Sequence, residues 1–309
     1  MDVYPAAGKL MVKKGDTIAW SGNTGGSAGP HLHFELRDSR TEHTLDPRLY
    51  GFSYVDTIAP KLFKLALYHL LDSAMTRNGR YPAYFFNPSK STISVPPGEY
   101  GLGYYGNDYC TDFANRLGIN NVQVMVNDKR TFSLTLDEFS FDYTRYINNH
   151  IDFYTYKTTG IRYVKLFEEK RNPLNFYQSV NRGKINLKEG DSLNIEVILT
   201  DRAGLSKSAE FTMIATANQT FPASSQKSFG APTYLTYPDK TNYKVFEAFK
   251  WTIPAGVLYH PQELAYVQKP YSGNKYLSDI HQFHHDLIAM HQYSTISIKP
   301  KNIEGLPKE

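Results

Sequence analysis

The stretch Leu193-Asn194-Ile195-Glu196-Val197-Ile198-Leu199 places Leu, Ile, Val and Leu at every second position. A period of two sends alternate side chains to opposite faces, so this segment reads as a β-strand with one face in a core. Val122-Gln123-Val124-Met125-Val126 repeats the pattern. The same texture runs through most of the chain. Its 24 Tyr and 18 Phe lie largely in short alternating runs broken by Gly, Pro, Asn and Asp, and aromatic residues suit a pleated, half-buried surface. The expected fold class is therefore all-β. No long segment carries a clear helical period, and Ser278 to Met290 is the one stretch that reads as a short helix.

Working outward, two stretches look like connectors: Asp46-Pro47 to Pro60, and Ala215 to Pro238, which is rich in Ala, Ser, Thr and Pro. Between them, Gly98-Glu99-Tyr100-Gly101-Leu102-Gly103-Tyr104-Tyr105-Gly106-Asn107-Asp108 leads to Gly118-Ile119 and the strand Val122 to Val126. Later, Gly190-Asp191-Ser192-Leu193 opens a strand that ends in Thr200-Asp201-Arg202-Ala203-Gly204-Leu205. Each time a strand closes on Asp and a turn with Gly. This resembles the bacterial immunoglobulin-like β-sandwich. The segment exceeds the roughly 100 residues usual for that fold, so about 137–186 reads as an insertion. The expected units are 1–52, a sandwich over 56–215, and an incomplete β-rich region over 239–309.

Composition excludes several classes. Thirty-four basic and 30 acidic residues leave a formal charge of +4, with no Lys/Arg run to track a phosphate backbone, so nucleic acid is not an expected partner. The single cysteine, Cys110, rules out an internal disulfide framework and reads as structural. No apolar run reaches the length of a membrane span. Met1-Asp2-Val3-Tyr4-Pro5 lacks the basic start and apolar core of a signal peptide.

The chemistry concentrates between Val12 and Arg37. Lys14-Gly15-Asp16 is a turn, after which Ile18 and Trp20 alternate toward a core. The loop Ser21-Gly22-Asn23-Thr24-Gly25-Gly26-Ser27-Ala28-Gly29-Pro30 carries four glycines, which let another backbone approach closely. It lacks a Gly-Lys-Ser/Thr ending and a following helix, so it is not a phosphate loop. It delivers His31-Leu32-His33-Phe34-Glu35-Leu36-Arg37, which alternates strictly: Leu32, Phe34 and Leu36 on one face, His31, His33, Glu35 and Arg37 on the other. Same-face neighbours on a strand are about 6.6 Å apart, so both imidazoles can reach one metal centre and its bound water. A hydrolytic zinc takes about three protein ligands and keeps one position open. Two histidines do not complete such a site.

The strand-turn-strand, the glycine loop and Gly-Pro-His-Leu-His-Phe-Glu together resemble the lysostaphin/LytM-type zinc metallopeptidase family, from about Val12 to Pro47. The resemblance implies the C-terminal part of an antiparallel β catalytic domain and an exported zinc endopeptidase that cuts peptidoglycan cross-links in the cell envelope. It implies His33 as the zinc ligand and His31 as the residue acting on the attacking water. Gly25 and Gly26 are the expected substrate-facing residues. Glu35 is either a carboxylate partner of a ligand or a solvated strand residue. In that family an upstream His and Asp complete the metal site, and a further catalytic His precedes the glycine loop. No histidine precedes His31, so the resemblance implies that most of the catalytic domain lies ahead of Met1, and that the chain as it stands is inactive.

Four other readings stand beside this one. His43 and Asp46, in the exit loop, are possible substitute ligands. His281, His284, His285 and His291 lack the Glu of the helical zincin motif and read as a polar loop or surface helix. The competing functions are a non-catalytic envelope module that regulates or anchors wall hydrolases, with envelope proteins as partners, and a biotinyl- or lipoyl-type carrier. The carrier reading leaves His-Leu-His unexplained and lacks the expected Lys beside Met.

Overall fold

The structure, a computed structural model, describes residues 6–23, 29–52, 54–70, 81–111, 115–222, 231–273 and 275–301. It is all-β; among the described residues the two short α-helices lie in the middle of the chain. Two six-stranded sheets form its centre. In one, Val164–Lys165, Gly98–Tyr109, Lys61–His69 and Ala83–Phe86 lie side by side, and Ile185–Leu187 and Arg116–Leu117 also pair with Gly98–Tyr109. In the other the order is Tyr177–Ser179, Lys129–Thr135, Asn121–Val126, Ser192–Thr200, Ser206–Ala215 and Thr92–Val95. Only the last pair in that second sheet is parallel.

The inward residues of both sheets make one core. Leu65, Leu67, Tyr100, Leu102 and Tyr104 meet Val122, Phe132, Leu134, Ile195, Val197, Leu199 and Met213. In Ser192–Thr200, Ile195, Val197 and Leu199 are buried in alternation, as the period of two requires. Asn127 and Asp128 join Asn121–Val126 to Lys129–Thr135 with positive φ at both positions, the two-residue turn whose twist matches that of paired strands. The run Gly98 to Asp108 is part of a twelve-residue central strand rather than a prelude to one. Gly101 is needed there because a Cβ would collide with the ring of Phe167.

Residues 141–159 hold the helices Ile147–His150 and Phe153–Thr159 and a 3-10 turn, Phe141–Tyr146. The C-terminal region packs on them. Tyr259 Oη donates to the Arg145 carbonyl at 2.6 Å, His260 Nε2 lies 3.1 Å from Asn149 Oδ1, and Lys157 pairs with Asp286 at 2.7 Å. This region has two three-stranded sheets around Phe249, Trp251, Ile253, Val257 and Leu264.

The short helix expected over Ser278 to Met290 is absent. Ile280–Phe283 is a strand paired with Gln262–Lys269. His284, with φ of +51°, turns the chain out of the sheet and cannot continue a helix. The histidines here serve packing: His281 Nδ1 lies 2.9 Å from Tyr266 Oη, His284 Nδ1 accepts from the Ala265 N–H at 3.0 Å, and His291 packs on Tyr146.

Candidate functional site

The histidine pair lies on an open segment. Lys13 and Asp16 close the expected turn at Gly15, whose φ is +101°. From there the structure departs from the sequence expectation. Ile18 and Trp20 do not enter a core; they are 78% and 91% exposed. The alternation of His31 to Arg37 yields a paired strand only at Leu36–Arg37, which pairs with Thr44–Leu45. Leu32 is 85% exposed, and Phe34 rests on Phe52 with ring centres 5.0 Å apart. The reason is physical: alternation assigns faces, but burial needs a second layer, and none of the described residues supplies one here.

Within this segment, His31 Nδ1 lies 2.9 Å from the Gly29 carbonyl. Glu35 joins the two neighbours on its face, 2.5 Å from Arg37 Nε and 3.6 Å from His33 Nε2. Arg37 in turn lies over the Phe141 ring at 4.5 Å. Gly25 and Gly26 fall outside the described residues. Among the described residues, the group of three or more potential ligand side chains lies elsewhere, at Asp56, Asp108 and Asp201. Two imidazoles beside a carboxylate committed to Arg37 fall short of the three protein ligands of a hydrolytic zinc. The donor set of this segment alone therefore does not fit a complete zinc centre.

His43 and Asp46 are occupied otherwise. His43 Nδ1 is 3.6 Å from Glu138. Asp46 caps the 3-10 turn Pro47–Tyr50 through the Arg48 N–H and pairs with the guanidinium groups of Arg48 and Arg202, each at 3.0 Å. Burial works against its charge, but the hydrogen bonds from Arg48 and the charges of Arg48 and Arg202 hold its carboxyl below the usual range. Arg202 also pairs with Asp137, and the Asp46 N–H donates to the Asp137 carbonyl at 2.9 Å. The strand Glu138–Phe139 completes a three-stranded sheet with Thr44–Leu45 and Leu36–Arg37. The stretch read as a connector from Asp46 thus begins as a fastened joint. A cleft of about 350 Å³ opens beside it, lined by Leu45, Phe139, Ile147, Leu174 and Phe176 among others, and neither His31 nor His33 lines it.

These histidines and the joint fall within one matched segment. Residues 6–47 match peptidase family M23. The match takes in a small part of the chain and ends at the Asp46-Pro47 joint. Residues 233–308 match the Zu5-like domain, which covers the two C-terminal three-stranded sheets. No curated protein matches the chain. The chain thus joins an M23-like segment, a two-sheet region and a Zu5-like region.

Sequence reasoning missed two features. Arg202 clamps Asp46 and Asp137 across 156 and 65 positions. Asp108 and Asp201, noticed only as strand-closing residues, meet each other and Asp56 in space. Burial, and then the charges of Asp201 and Asp56, push the Asp108 carboxyl up to about 6, against the pull of the Tyr109 N–H and Arg48. Burial raises Asp201 in the same way.

Proposed function

We propose that the chain is part of a zinc metalloendopeptidase that cuts peptide cross-links of peptidoglycan in the cell envelope. The observation that carries this reading is the M23 match over residues 6–47, which contains His31-Leu32-His33. In this reading His33 would supply one zinc ligand, and Glu35, 3.6 Å away, would steady its ring. His31 would act on the water or the developing oxyanion, and the lack of side chains at Gly25 and Gly26 would suit a peptide substrate. The two-sheet and Zu5-like regions position the segment on the wall or on envelope proteins. Among the described residues, no helix is long and apolar enough to cross a membrane.

A second reading is favoured by one observation: the His33 side chain is 75% exposed, and the pair belongs to no group of three potential ligands among the described residues. On that reading the segment anchors or regulates other wall hydrolases. The test separates the two. The chain alone should hold zinc weakly after dialysis and leave peptidoglycan uncut, because an incomplete ligand set loses most of its affinity. In a form carrying the complete peptidase domain, His33→Ala should lose metal and activity together. His31→Ala should keep the metal and lose about 10²–10⁴-fold in rate. Full activity in both variants would defeat the peptidase reading, and stripped metal in His31→Ala with retained metal in His33→Ala would reverse the roles.

A further inference from the structure

Where the connector enters the two-sheet region, three carboxylates converge. Asp56 precedes the strand Lys61–His69, Asp108 is the penultimate residue of Gly98–Tyr109, and Asp201 directly follows Ser192–Thr200. The two sheets and the connector each contribute one. Asp108 is 1% exposed and Asp201 4% exposed. The Asp56 Oδ1 accepts from the Ile58 N–H at 3.2 Å, and the Asp201 Oδ1 accepts from the Leu205 N–H at 2.9 Å. The remaining oxygens, Asp56 Oδ2, Asp201 Oδ2 and both of Asp108, are buried without a partner in hydrogen-bond geometry; the Tyr109 N–H pulls on the Asp108 carboxyl but falls outside that geometry.

Such an arrangement is costly as it stands. A buried carboxylate without a partner is strongly unfavourable, and three close together repel one another. The nearby cations do not relieve it. Arg48 is near enough to pull on Asp108, but its donors go to Asp46 and Tyr54. Arg202 is spent on Asp46 and Asp137.

We propose that Asp56, Asp108 and Asp201 bind one hard divalent cation, Ca²⁺ in preference to others, and that this ion pins the connector to the ends of both sheets. One oxygen from each residue lies within 4.8 Å of the other two, the largest separation that two oxygens can have across an ion held at about 2.4 Å. Mg²⁺ sheds its water reluctantly and demands near-ideal octahedral geometry, so a buried group of three carboxylates suits Ca²⁺ better. The group has carboxylates alone and neither His nor Cys, a donor set that suits Ca²⁺ better than zinc. Asp56 is only half buried, so the ion has a route in from solvent, and water can fill the remaining positions. This assignment does not depend on the peptidase reading.

The test is calorimetric titration of the full chain, stripped with chelator, with Ca²⁺, Mg²⁺ and Zn²⁺ in turn, and thermal unfolding with Ca²⁺ and with chelator. Ca²⁺ should bind one to one and raise the unfolding midpoint by a few degrees. Asp56→Asn should weaken Ca²⁺ binding by about tenfold or more, and Asp108→Asn should abolish it. In chelator, Asp108→Asn should melt above the unmodified chain, because it removes a buried charge. If Asp108→Asn does not fold, Asp56→Asn decides alone, since its side chain is the half-buried one of the three. No saturable Ca²⁺ binding, or binding unchanged in Asp56→Asn, would overturn the site. Tighter binding of Mg²⁺ or Zn²⁺ than of Ca²⁺ at these residues would overturn the choice of ion.

Discussion

The strand Ser192–Thr200 and the segment His31 to Arg37 carry the same alternation and meet opposite fates. Ile195, Val197 and Leu199 are buried because Asn121–Val126 and Ser206–Ala215 flank their strand and a second sheet covers its face. Leu32 and Phe34 have the same spacing but no covering layer among the described residues, and they remain exposed. A periodic pattern states which side chains share a face. Whether that face is dry depends on a partner element that the pattern does not contain.

The contrast can be tested most sharply by truncation. Phe132→Ala in the two-sheet core should cost about 3–5 kcal/mol, whereas Leu32→Ala should stay within about 0.5 kcal/mol. Urea unfolding of both variants measures the gap, and a comparable loss at Leu32 would mean that the histidine segment is packed after all. Arg202→Ala should come next. It leaves Asp46 and Asp137 without their shared cation, at a cost of about 1–3 kcal/mol, and should speed hydrogen exchange at residues 44–50 while sparing the core strands. Uniform acceleration across the chain would show that the joint is not a separate unit.

Acid should act on the buried histidines. Burial, with a smaller push from Lys165, lowers His150 to about 4, and burial with the charge of His285 lowers His284 likewise. Each must stay neutral in the fold while the unfolded chain takes up a proton near pH 6.5. Their contribution is therefore present above about pH 6.5 and is lost as pH falls toward 4. Thermal melts across that window should show falling stability, with a shallower slope in His150→Gln, and an unchanged slope would remove His150 as a cause. The smallest effect belongs to Glu35→Gln. Its contacts to Arg37 and His33 lie on an open segment, so stability should move by no more than about 0.5 kcal/mol.

The sequence was informative wherever structure is local. The strands at Val122 to Val126 and Leu193 to Leu199, the turn at Gly15 and the His-Leu-His motif could be read from neighbouring residues. The rest depended on distance along the chain. Arg202 meets Asp46 across 156 positions, and nothing beside Asp46 announces that pairing. Asp108 and Asp201 each looked like an ordinary strand end, and only folding brings them to Asp56. Ser278 to Met290 misled because its polar histidines suit a helix surface, while the pairing of Ile280–Phe283 with Gln262–Lys269 overrode that local preference.

The small sheet that joins Thr44–Leu45 to both Leu36–Arg37 and Glu138–Phe139 has a mechanical consequence. A segment on a slack tether samples a sphere whose radius grows with the tether. Here the exit of the histidine segment is hydrogen-bonded on both sides, so swinging it means breaking a backbone ladder and the Arg202 clamp together. Its heading is set by the body of the molecule. What His31 and His33 can touch is then decided by how that body comes to rest against its surroundings, and pulling on the C-terminal region would turn the pair rather than stretch a leash.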